Sequence, residues 1–218
     1  MLAFDIETTG LDPKKCAVTV VCAECLFTGQ KHAFEFARLD RRRADVAKDP
    51  DMDEDEREAE LLTLEEQRDL LVQEMIQLFD DAHSLCAFNG VRFDIPFLMQ
   101  AFDIPTKTVT PWVLKTTDIL ECCRVLHKHT FKLDLLCEEN NMPMKSGTGL
   151  AAIGMAKNGQ FDKLKNYCAD DVSILCNLYR QRHLVNPRTK DIIDLKEWCC
   201  FDTYDLLMAM EVMEIDDF

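Results

Sequence analysis

Two acidic residues near the start of the chain have the spacing of a metal site. Asp5 and Glu7 alternate with the apolar residues Phe4 and Ile6. Side chains two residues apart in a β-strand point to the same face, so both carboxylates would leave one face, with their bases roughly 6–7 Å apart. Hard divalent cations such as Mg²⁺ prefer oxygen ligands of this kind. The pattern predicts either a divalent-metal site or an edge strand whose two acids face water.

A second polar stretch, FNGVRFDIPFL over residues 88–98, directly follows a short apolar segment. Asp94 stands two residues before a proline, which is the spacing of a helix N-cap with proline in the first turn. A carboxylate at a helix start can cap the helix and contact a metal at the same time. Asn89 precedes Gly90, as turn residues do, and its other interpretation is a hydrogen-bond donor to a nucleic-acid strand. Loops after the strands of an open α/β sheet commonly carry binding sites, so Asp94 and Asn89 are both candidate site residues.

The third stretch lies in a long helical pattern. Apolar residues recur with the helical period and form one stripe: Leu164, Cys168, Val172, Leu175 and Tyr179. Asp171 falls within this buried face, whereas its neighbour Asp170 points away from it. A carboxylate that faces a core is costly unless it is paired or binds a metal. Tyr167 lies one turn before Asp171 on the same side of the helix, so we predict that these two residues act together.

The segments around these residues predict an α/β domain. Strands are predicted at the N-terminus, over 16–25 and 31–36 as an antiparallel pair, over 83–88 and over 116–120. Helices are predicted over 61–79, 91–102, 133–140, 149–157 and 162–182. Hairpin strands followed by alternating strands and helices indicate a mixed β-sheet, with antiparallel and parallel strands, flanked by α-helices. The charged segment 41–60 has almost no large apolar residue, which predicts a solvated or flexible insertion.

The net charge of −15 is concentrated in two parts of the chain. Fifteen acidic and three basic residues lie between Asp45 and Asp81, and nine acidic and three basic residues lie between Arg188 and Phe218. The remainder is slightly basic, which allows a local basic path for nucleic acid but weakens any case for strong nonspecific binding. We therefore predict one domain over 1–186, with a charged insertion at about 40–62, and an acidic C-terminal extension over 187–218. Packing on the domain and docking to a partner protein are both open for this extension.

The 11 cysteines indicate free thiols in a reducing, intracellular compartment, such as the cytoplasm or nucleus, with a viral origin also open. The N-terminus lacks the layout of a signal peptide, and no apolar run approaches the roughly 18 residues of a membrane span. No membrane partner is therefore expected. Cys22 and Cys25 form a CxxC pair without a second pair or a nearby histidine pair. This pattern disfavours a structural zinc site. We therefore interpret most of the cysteines as small residues of the apolar core.

The three polar stretches resemble the exonuclease motifs of the DEDD superfamily of 3′–5′ exonucleases. D-x-E at 5–7, N-G-x-x-F-D-x-P-F-L at 89–98 and Y-x-x-x-D at 167–171 stand in the family's order. The third motif is typical of the tyrosine branch, since Asn166 stands where the histidine branch has its histidine. The second motif is most similar to that of the proofreading domain of family B DNA polymerases and their stand-alone relatives. The resemblance covers roughly residues 1–183.

The resemblance implies an RNase H-like fold and hydrolysis of the terminal phosphodiester with two divalent cations, Mg²⁺ or Mn²⁺. By motif position, Asp5 would bridge both ions. Glu7 and Asp171 would complete the site of one ion, and Asp94 would serve the other. Tyr167 would orient the attacking water through its hydroxyl group. The implied substrate is single-stranded or frayed DNA, degraded from its 3′ end to nucleoside monophosphates.

By the same resemblance, four further residues would hold the substrate. Thr8 and Leu11 would lie against the last nucleotide, with Leu11 as an apolar wedge. Asn89 and Phe93 would hold the frayed strand, and stacking on an aromatic ring fits sequence-independent binding of single strands.

Three alternatives remain open from the sequence. An RNA 3′–5′ exonuclease would use the same fold and the same metal site. A nucleic-acid-binding or scaffold subunit would retain the fold without catalysis. A metal or redox protein based on the cysteines is the third alternative.

Overall fold

The fold is built on a five-stranded sheet, described here from a computed structural model that covers residues 1–127, 130–143 and 149–195. The strands are β1 (Leu2–Thr8), β2 (Val18–Cys25), β3 (Lys31–Phe34), β4 (Leu85–Ala87) and β5 (Thr116–Asp118). Their order in the sheet is β3-β2-β1-β4-β5. The pairs β1–β2 and β2–β3 are antiparallel, whereas β1–β4 and β4–β5 are parallel. The predicted mixed sheet is confirmed, and β1 is its central strand.

Helices lie on both sides of this sheet. They are α1 (Phe36–Val46), α2 (Glu54–Asp81), α3 (Asp94–Ala101), α4 (Thr106–Leu114), α5 (Ile119–His127), α6 (Leu133–Glu139), α7 (Gly149–Lys157) and α8 (Phe161–Gln181). The helices predicted over 133–140, 149–157 and 162–182 are confirmed almost to the residue. The sequence patterns did not predict α4, which contains Pro111, or α5. The chain also forms a small antiparallel hairpin from β6 (His183–Val185) and β7 (Ile192–Asp194).

The sheet separates two apolar layers. One layer packs β1 and β2 against α5, α6 and α8, and it contains Ala3. The other packs the opposite face of the sheet against α2, α3 and α4, and it contains Phe4 and Ile6. Because side chains alternate along a strand, Asp5 and Glu7 leave β1 on the side of Ala3 and α8. The prediction that Phe4 and Ile6 anchor a core is confirmed, since both are buried.

The charged segment 41–60 is exposed, as predicted, but it is mostly helical and not a flexible loop. It forms the end of α1 and the start of α2, and α2 begins seven residues before the predicted helix 61–79. Ion pairs join the two helices, including Arg42 to Glu60 at 2.5 Å and Arg68 to Asp40 at 3.6 Å. Asp53 caps α2 by accepting a hydrogen bond from the Glu56 N–H at 2.8 Å. The helical pattern was hidden because few residues here face the core.

The acidic extension predicted for 187–218 begins inside the hairpin, where Ile193 and Leu195 are buried. Residues 196–218, and with them the question of docking or packing, lie outside the described residues. Nine cysteines fall within the described ranges; all carry free thiols and seven are buried. The described chain contains no helix that combines the length and the apolar character needed to cross a membrane.

Candidate active site

Three carboxylates meet where β1 passes α8. Asp5 and Glu7 project from β1 and Asp171 projects from α8, and one oxygen atom of each lies within 4.8 Å of the other two. Asp171 is 1% exposed, Glu7 is 8% exposed and Asp5 is half-buried. The structure thus brings together residues that are more than 160 positions apart in the chain. Among the described residues, this cluster is where three His, Cys, Asp or Glu side chains lie close enough to share a metal ion.

Asp94 lies beside this cluster rather than within it. Its Oδ1 accepts a hydrogen bond of 3.2 Å from the backbone N–H of Ile6, which stands between Asp5 and Glu7. β4 pairs with β1 only at the first two residues of β1, so the Asp94 side chain serves the N–H of Ile6 where the neighbouring strand no longer reaches. The side chain from the second motif is therefore attached directly to the strand that carries the first.

The electrostatic surroundings of Asp94 oppose its ionisation. Asp94 is 4% exposed, and this burial raises the pKa of its carboxyl group well above the ordinary value. The neighbouring carboxylates of Asp5 and Asp118 raise this pKa further. The prediction that Asp94 is a helix N-cap is wrong: Phe93 occupies the N-cap position of α3, and Asp94 is the first helical residue. Its carboxylate bonds to β1 because α3 begins with this side chain aimed at the sheet.

The long helix α8 presents one face to β1, as its apolar stripe predicts. Asp171 and Tyr167 are buried on this face, and Asp170 is exposed on the other side. The predicted difference between the two neighbouring aspartates is confirmed. Tyr167 lies one turn before Asp171, which brings its ring to the same side of the helix as the carboxylate cluster.

Cys168 also contacts the cluster, although the sequence patterns marked it only as an apolar residue. Its Sγ–H donates to the backbone carbonyl oxygen of Asp5 at 3.4 Å, and Sγ lies 4.0 Å from Oδ2 of Asp5. Burial raises the pKa of the Cys168 thiol well above its usual range, so the thiol is a neutral donor that joins α8 to β1. A helical pattern assigns a residue to a face but does not identify the strand that the face meets.

The loop between β4 and α3 holds the second motif in a constrained backbone. Asn89 has φ of 67°, in the left-handed region that asparagine tolerates better than most residues. Its carbonyl oxygen accepts the Phe93 N–H at 3.0 Å. In the same loop, Nε of Arg92 donates to Oε1 of the buried Glu121 at 2.6 Å, and Glu121 also pairs with Arg124. The loop is therefore fastened to the start of α5.

A groove of about 710 Å³ runs beside this loop. Two of the predicted substrate-binding residues, Leu11 and Asn89, line it, together with Phe88, Phe131 and Lys132. Leu11 is 82% exposed, so its side chain is open to a ligand in this groove. Aromatic side chains with a neighbouring cation are the usual components of a surface that binds single strands. Sequence patterns single out none of Phe88, Phe131 and Lys132. Phe88 stands one residue before the second motif, and residues 131–132 lie in a segment with no distinctive spacing.

The other two predicted substrate-binding residues have structural contacts. Thr8 is buried, and its Oγ1 donates to the carbonyl oxygen of Gly10 at 2.6 Å. Phe93 is half-buried and packs against Phe97, with the ring centroids 5.5 Å apart. Neither residue is among the described ones that line the groove.

The fold and the carboxylate cluster define a class of protein. Residues 2–141 match the model of the RNase H superfamily. The chain belongs to the RNase H superfamily. No curated protein matches it.

Solved structures align with this chain at low sequence identity. The family B DNA polymerase of the hyperthermophilic archaeon Pyrobaculum calidifontis aligns with a TM-score of 0.55 and 17% identity, over 83% of this chain and 24% of that chain. Exonuclease I of E. coli, in complex with a dT13 oligonucleotide, aligns with a TM-score of 0.49 and 16% identity, over 83% of this chain and 40% of that chain. This chain therefore spans less than half the length of either protein.

The cluster has the donor set of a divalent-cation site. Three carboxylates within 4.8 Å of one another repel each other when they are ionised, and this repulsion opposes their charged forms. A bound cation would relieve the repulsion, and oxygen ligands suit Mg²⁺ and Mn²⁺. Asp171 is a buried carboxylate on an apolar helix face, a position where a charge is costly unless a partner or a metal compensates it. The residues present thus fit such an ion.

Proposed function

We propose that this chain is a metal-dependent 3′–5′ exonuclease of the tyrosine branch of the DEDD superfamily. It would hydrolyse single-stranded or frayed DNA from the 3′ end and release nucleoside monophosphates. The observation that carries this proposal is the meeting of Asp5, Glu7 and Asp171 in one cluster, with Asp94 bonded to the same strand. The chain order of the three motifs and the RNase H superfamily fold support it.

Two divalent ions would be held by the four carboxylates. Asp5, Glu7 and Asp171 would hold one ion, and Asp5 and Asp94 would hold the second. When bound, such ions supply Lewis-acid activation of a water molecule and neutralise charge on the departing 3′ oxygen. Glu7 and Asp171 keep their oxygens close to those of Asp5 through the packing of α8 on β1. Asp94 is held in place by its hydrogen bond from Ile6.

The remaining site residues would position the strand and the attacking water. The Tyr167 hydroxyl group would orient the water beside Asp171. Phe88, which is half-buried at the groove, would stack on a base, and the exposed Lys132 would contact phosphate. The exposed Leu11 would serve as an apolar wedge at the end of the strand, since it lines the same groove.

The test is an assay with a single strand labelled at its 5′ end, incubated with Mg²⁺ or Mn²⁺. A ladder of products that shortens progressively while keeping the label is expected, because removal from the 3′ end leaves the 5′ label on the polymer. Chelation of the metal should abolish the ladder. Release of the label as a mononucleotide, or internal cleavage, would contradict the proposed polarity, and no product with either metal would overturn the activity.

DNA and RNA strands of one sequence separate the proposed substrate from the alternative. Faster shortening of DNA is expected, and faster shortening of RNA would replace the proposal with an RNA 3′–5′ exonuclease. A preparation of the Asp171→Asn variant, purified in the same way, controls for contaminating nucleases. Binding of the strand without hydrolysis would favour a scaffold subunit that retains the fold.

Substitution of Tyr167 by phenylalanine tests the orientation of the water. We expect kcat to fall by about 10–100-fold, since loss of a positioning group leaves the reacting atoms misaligned. Thermal stabilisation by Mn²⁺ should be unchanged, because the hydroxyl group is not a proposed metal ligand. The matched control is Tyr179→Phe. Tyr179 lies on the same helix but lines a separate cavity beside Leu26 and Arg182. Equal kcat values for Tyr167→Phe and the wild type would remove Tyr167 from the mechanism.

A further inference from the structure

We infer that Asp118 is a positioning residue for this site, because its carboxylate fixes the loop that carries Asn89 and leads into Asp94. This inference rests on the proposed exonuclease function. Asp118 belongs to none of the three motifs and stands at the end of β5, next to Ala87 of β4. It is 1% exposed, so its carboxylate interacts with the protein and not with solvent.

The Asp118 carboxylate accepts hydrogen bonds from backbone N–H groups of two different segments. In the loop after β4, Asn89 donates to Oδ1 at 2.8 Å and Val91 donates to Oδ2 at 3.0 Å. At the start of α5, Leu120 and Glu121 donate to Oδ1 at 3.0 and 3.2 Å. The second pair is the usual pattern of a helix N-cap. The first pair is not needed for the helix, and it joins the loop to a second element of the fold.

The bonds to the loop act on the residues of the second motif. Asn89 adopts the left-handed backbone conformation, which is less favourable than the right-handed one for a residue with a side chain, and a bond to its N–H holds it there. Farther along, the Gly90 carbonyl oxygen accepts the Ile95 N–H at 2.8 Å. A loop held at residues 89 and 91 therefore also sets the position at which α3 begins with Asp94.

Charge makes these bonds strong. Hydrogen bonds to an ionised acceptor are shorter and stronger than those between neutral groups. Burial raises the pKa of Asp118 to about 6, while the bonded N–H groups of Val91 and Asn89 and the charge of Arg92 act in the opposite direction. At neutral pH the group is therefore a carboxylate that can accept all four N–H bonds. The Arg92–Glu121 ion pair reinforces the same connection between the loop and α5.

The Asp118→Ser variant separates the loop bonds from the helix cap. Serine is a good N-cap residue, so it can still accept a hydrogen bond from the N–H groups of α5. Its single short hydroxyl group cannot at the same time accept hydrogen bonds from the Asn89 and Val91 N–H groups in the loop. Hydrogen exchange of the amides in segment 88–93, measured on metal-free protein, is expected to become faster. With the 5′-labelled DNA strand, KM should rise about tenfold and kcat/KM should fall about 100-fold, because misplacement by about an ångström is enough for such losses.

A second variant and a matched control accompany this measurement. Asp118→Asn keeps Oδ1 but places an amide NH₂ group opposite the Val91 N–H, so it should give a smaller change in the same direction. If Asp118→Ser does not fold, the same measurements are made on Asp118→Asn instead. The control is Asn186→Ala, because the Asn186 side chain also accepts N–H bonds within a loop, from Arg188 at 2.9 Å and Thr189 at 3.2 Å. It should lower the melting temperature and leave KM unchanged.

The outcomes distinguish this inference from the proposed function. Faster exchange in segment 88–93 together with a raised KM supports a positioning role. Wild-type KM and wild-type exchange in Asp118→Ser, in a protein whose wild type produces the ladder, would show that Asp118 only caps α5 and would overturn the inference. A wild-type protein that produces no ladder would instead overturn the exonuclease proposal, and the positioning role would fall with it.

Discussion

Asp171→Asn is expected to lower the rate of 3′-end hydrolysis by about 10³-fold or more, since metal ions contribute several kcal/mol to transition-state stabilisation and each 1.36 kcal/mol is tenfold in rate. The side chain supplies one of the three oxygens of the cluster. An amide has nearly the same shape as a carboxylate but carries no charge, so it is a much weaker ligand for Mg²⁺. The fold should be retained, because the substitution removes a charge from a buried position and relieves repulsion.

The adjacent aspartate provides a matched control. Asp170 is exposed on the other side of α8, and surface substitutions of this kind change stability by about 0.5 kcal/mol or less. Asp170→Asn removes the same charge from the same helix and should keep the wild-type rate within about twofold. The measurement is the initial rate of shortening of the 5′-labelled strand by both variants at saturating Mg²⁺.

Thermal denaturation gives a second measurement that does not depend on turnover. A ligand that binds only the folded state raises the melting temperature, so Mn²⁺ should stabilise the wild-type and Asp170→Asn proteins and have much less effect on Asp171→Asn. If Asp171→Asn and Asp170→Asn lost activity equally, the loss could not be assigned to the carboxylate cluster, because Asp170 lies outside it. If neither lost activity, Asp171 would not be a metal ligand, and the proposed chemistry would be wrong.

Gly90→Ala is expected to reduce the free energy of unfolding by about 3 kcal/mol, as overpacking of a rigid site does. A Cβ atom at this position would lie 2.4 Å from Cβ of Ala87 and 3.3 Å from Cζ of Phe4. Since Cβ of Ala87 is fixed to β4, it cannot rotate away, and the loop backbone must move. For a domain of this size the melting temperature should fall by about 6–12 °C.

The same substitution should affect the site. Oδ2 of Asp94 lies 3.7 Å from the position that the new Cβ atom would occupy, so a displaced loop would shift Asp94 together with Asn89. We expect lower activity even at temperatures where the variant remains folded. Circular dichroism melts and strand-shortening rates at roughly 20 °C below the lower melting temperature, a margin that keeps both proteins folded, measure the two effects separately.

Gly154→Ala is the matched control, with an effect of the opposite sign. Gly154 lies within α7, and a Cβ atom there would meet nothing within 4 Å. Alanine is favoured over glycine in a helix by about 1 kcal/mol, so this variant should melt higher and retain activity. A Gly90→Ala protein with the wild-type melting temperature would show that the loop after β4 adapts, and the steric argument would then be wrong.

Local sequence patterns are sufficient to predict β1 and α8, the two elements that hold the carboxylate cluster. Alternation in β1 predicts that Asp5 and Glu7 share one face while Phe4 and Ile6 are buried, and the structure has this arrangement. The helical period predicts that Asp171 is buried and Asp170 exposed. These predictions succeed because the direction of a side chain relative to its own strand or helix depends only on local backbone geometry.

Patterns failed where a residue's environment is set by a distant partner. Residues 41–60 are predicted to be a solvated or flexible insertion, and the structure shows them exposed but mostly helical, at the end of α1 and the start of α2. Their helical period is hidden because few of their side chains, such as that of Val46, face the core. The N-cap prediction for Asp94 was wrong because its carboxylate bonds to Ile6 in β1, 88 residues earlier in the chain. No local spacing encodes such a contact.

The amino-acid sequence by itself determined the strands and helices that carry the acidic residues, and the face of each element on which those residues lie. Only the tertiary structure decided which faces meet. Packing of α8 on β1 brings Asp171 to Asp5 and Glu7, and parallel pairing of β5 with β4 brings Asp118 to the loop of Asn89. The physical reason is that side-chain direction follows from local backbone geometry, whereas proximity follows from burying apolar faces against one another across the whole chain.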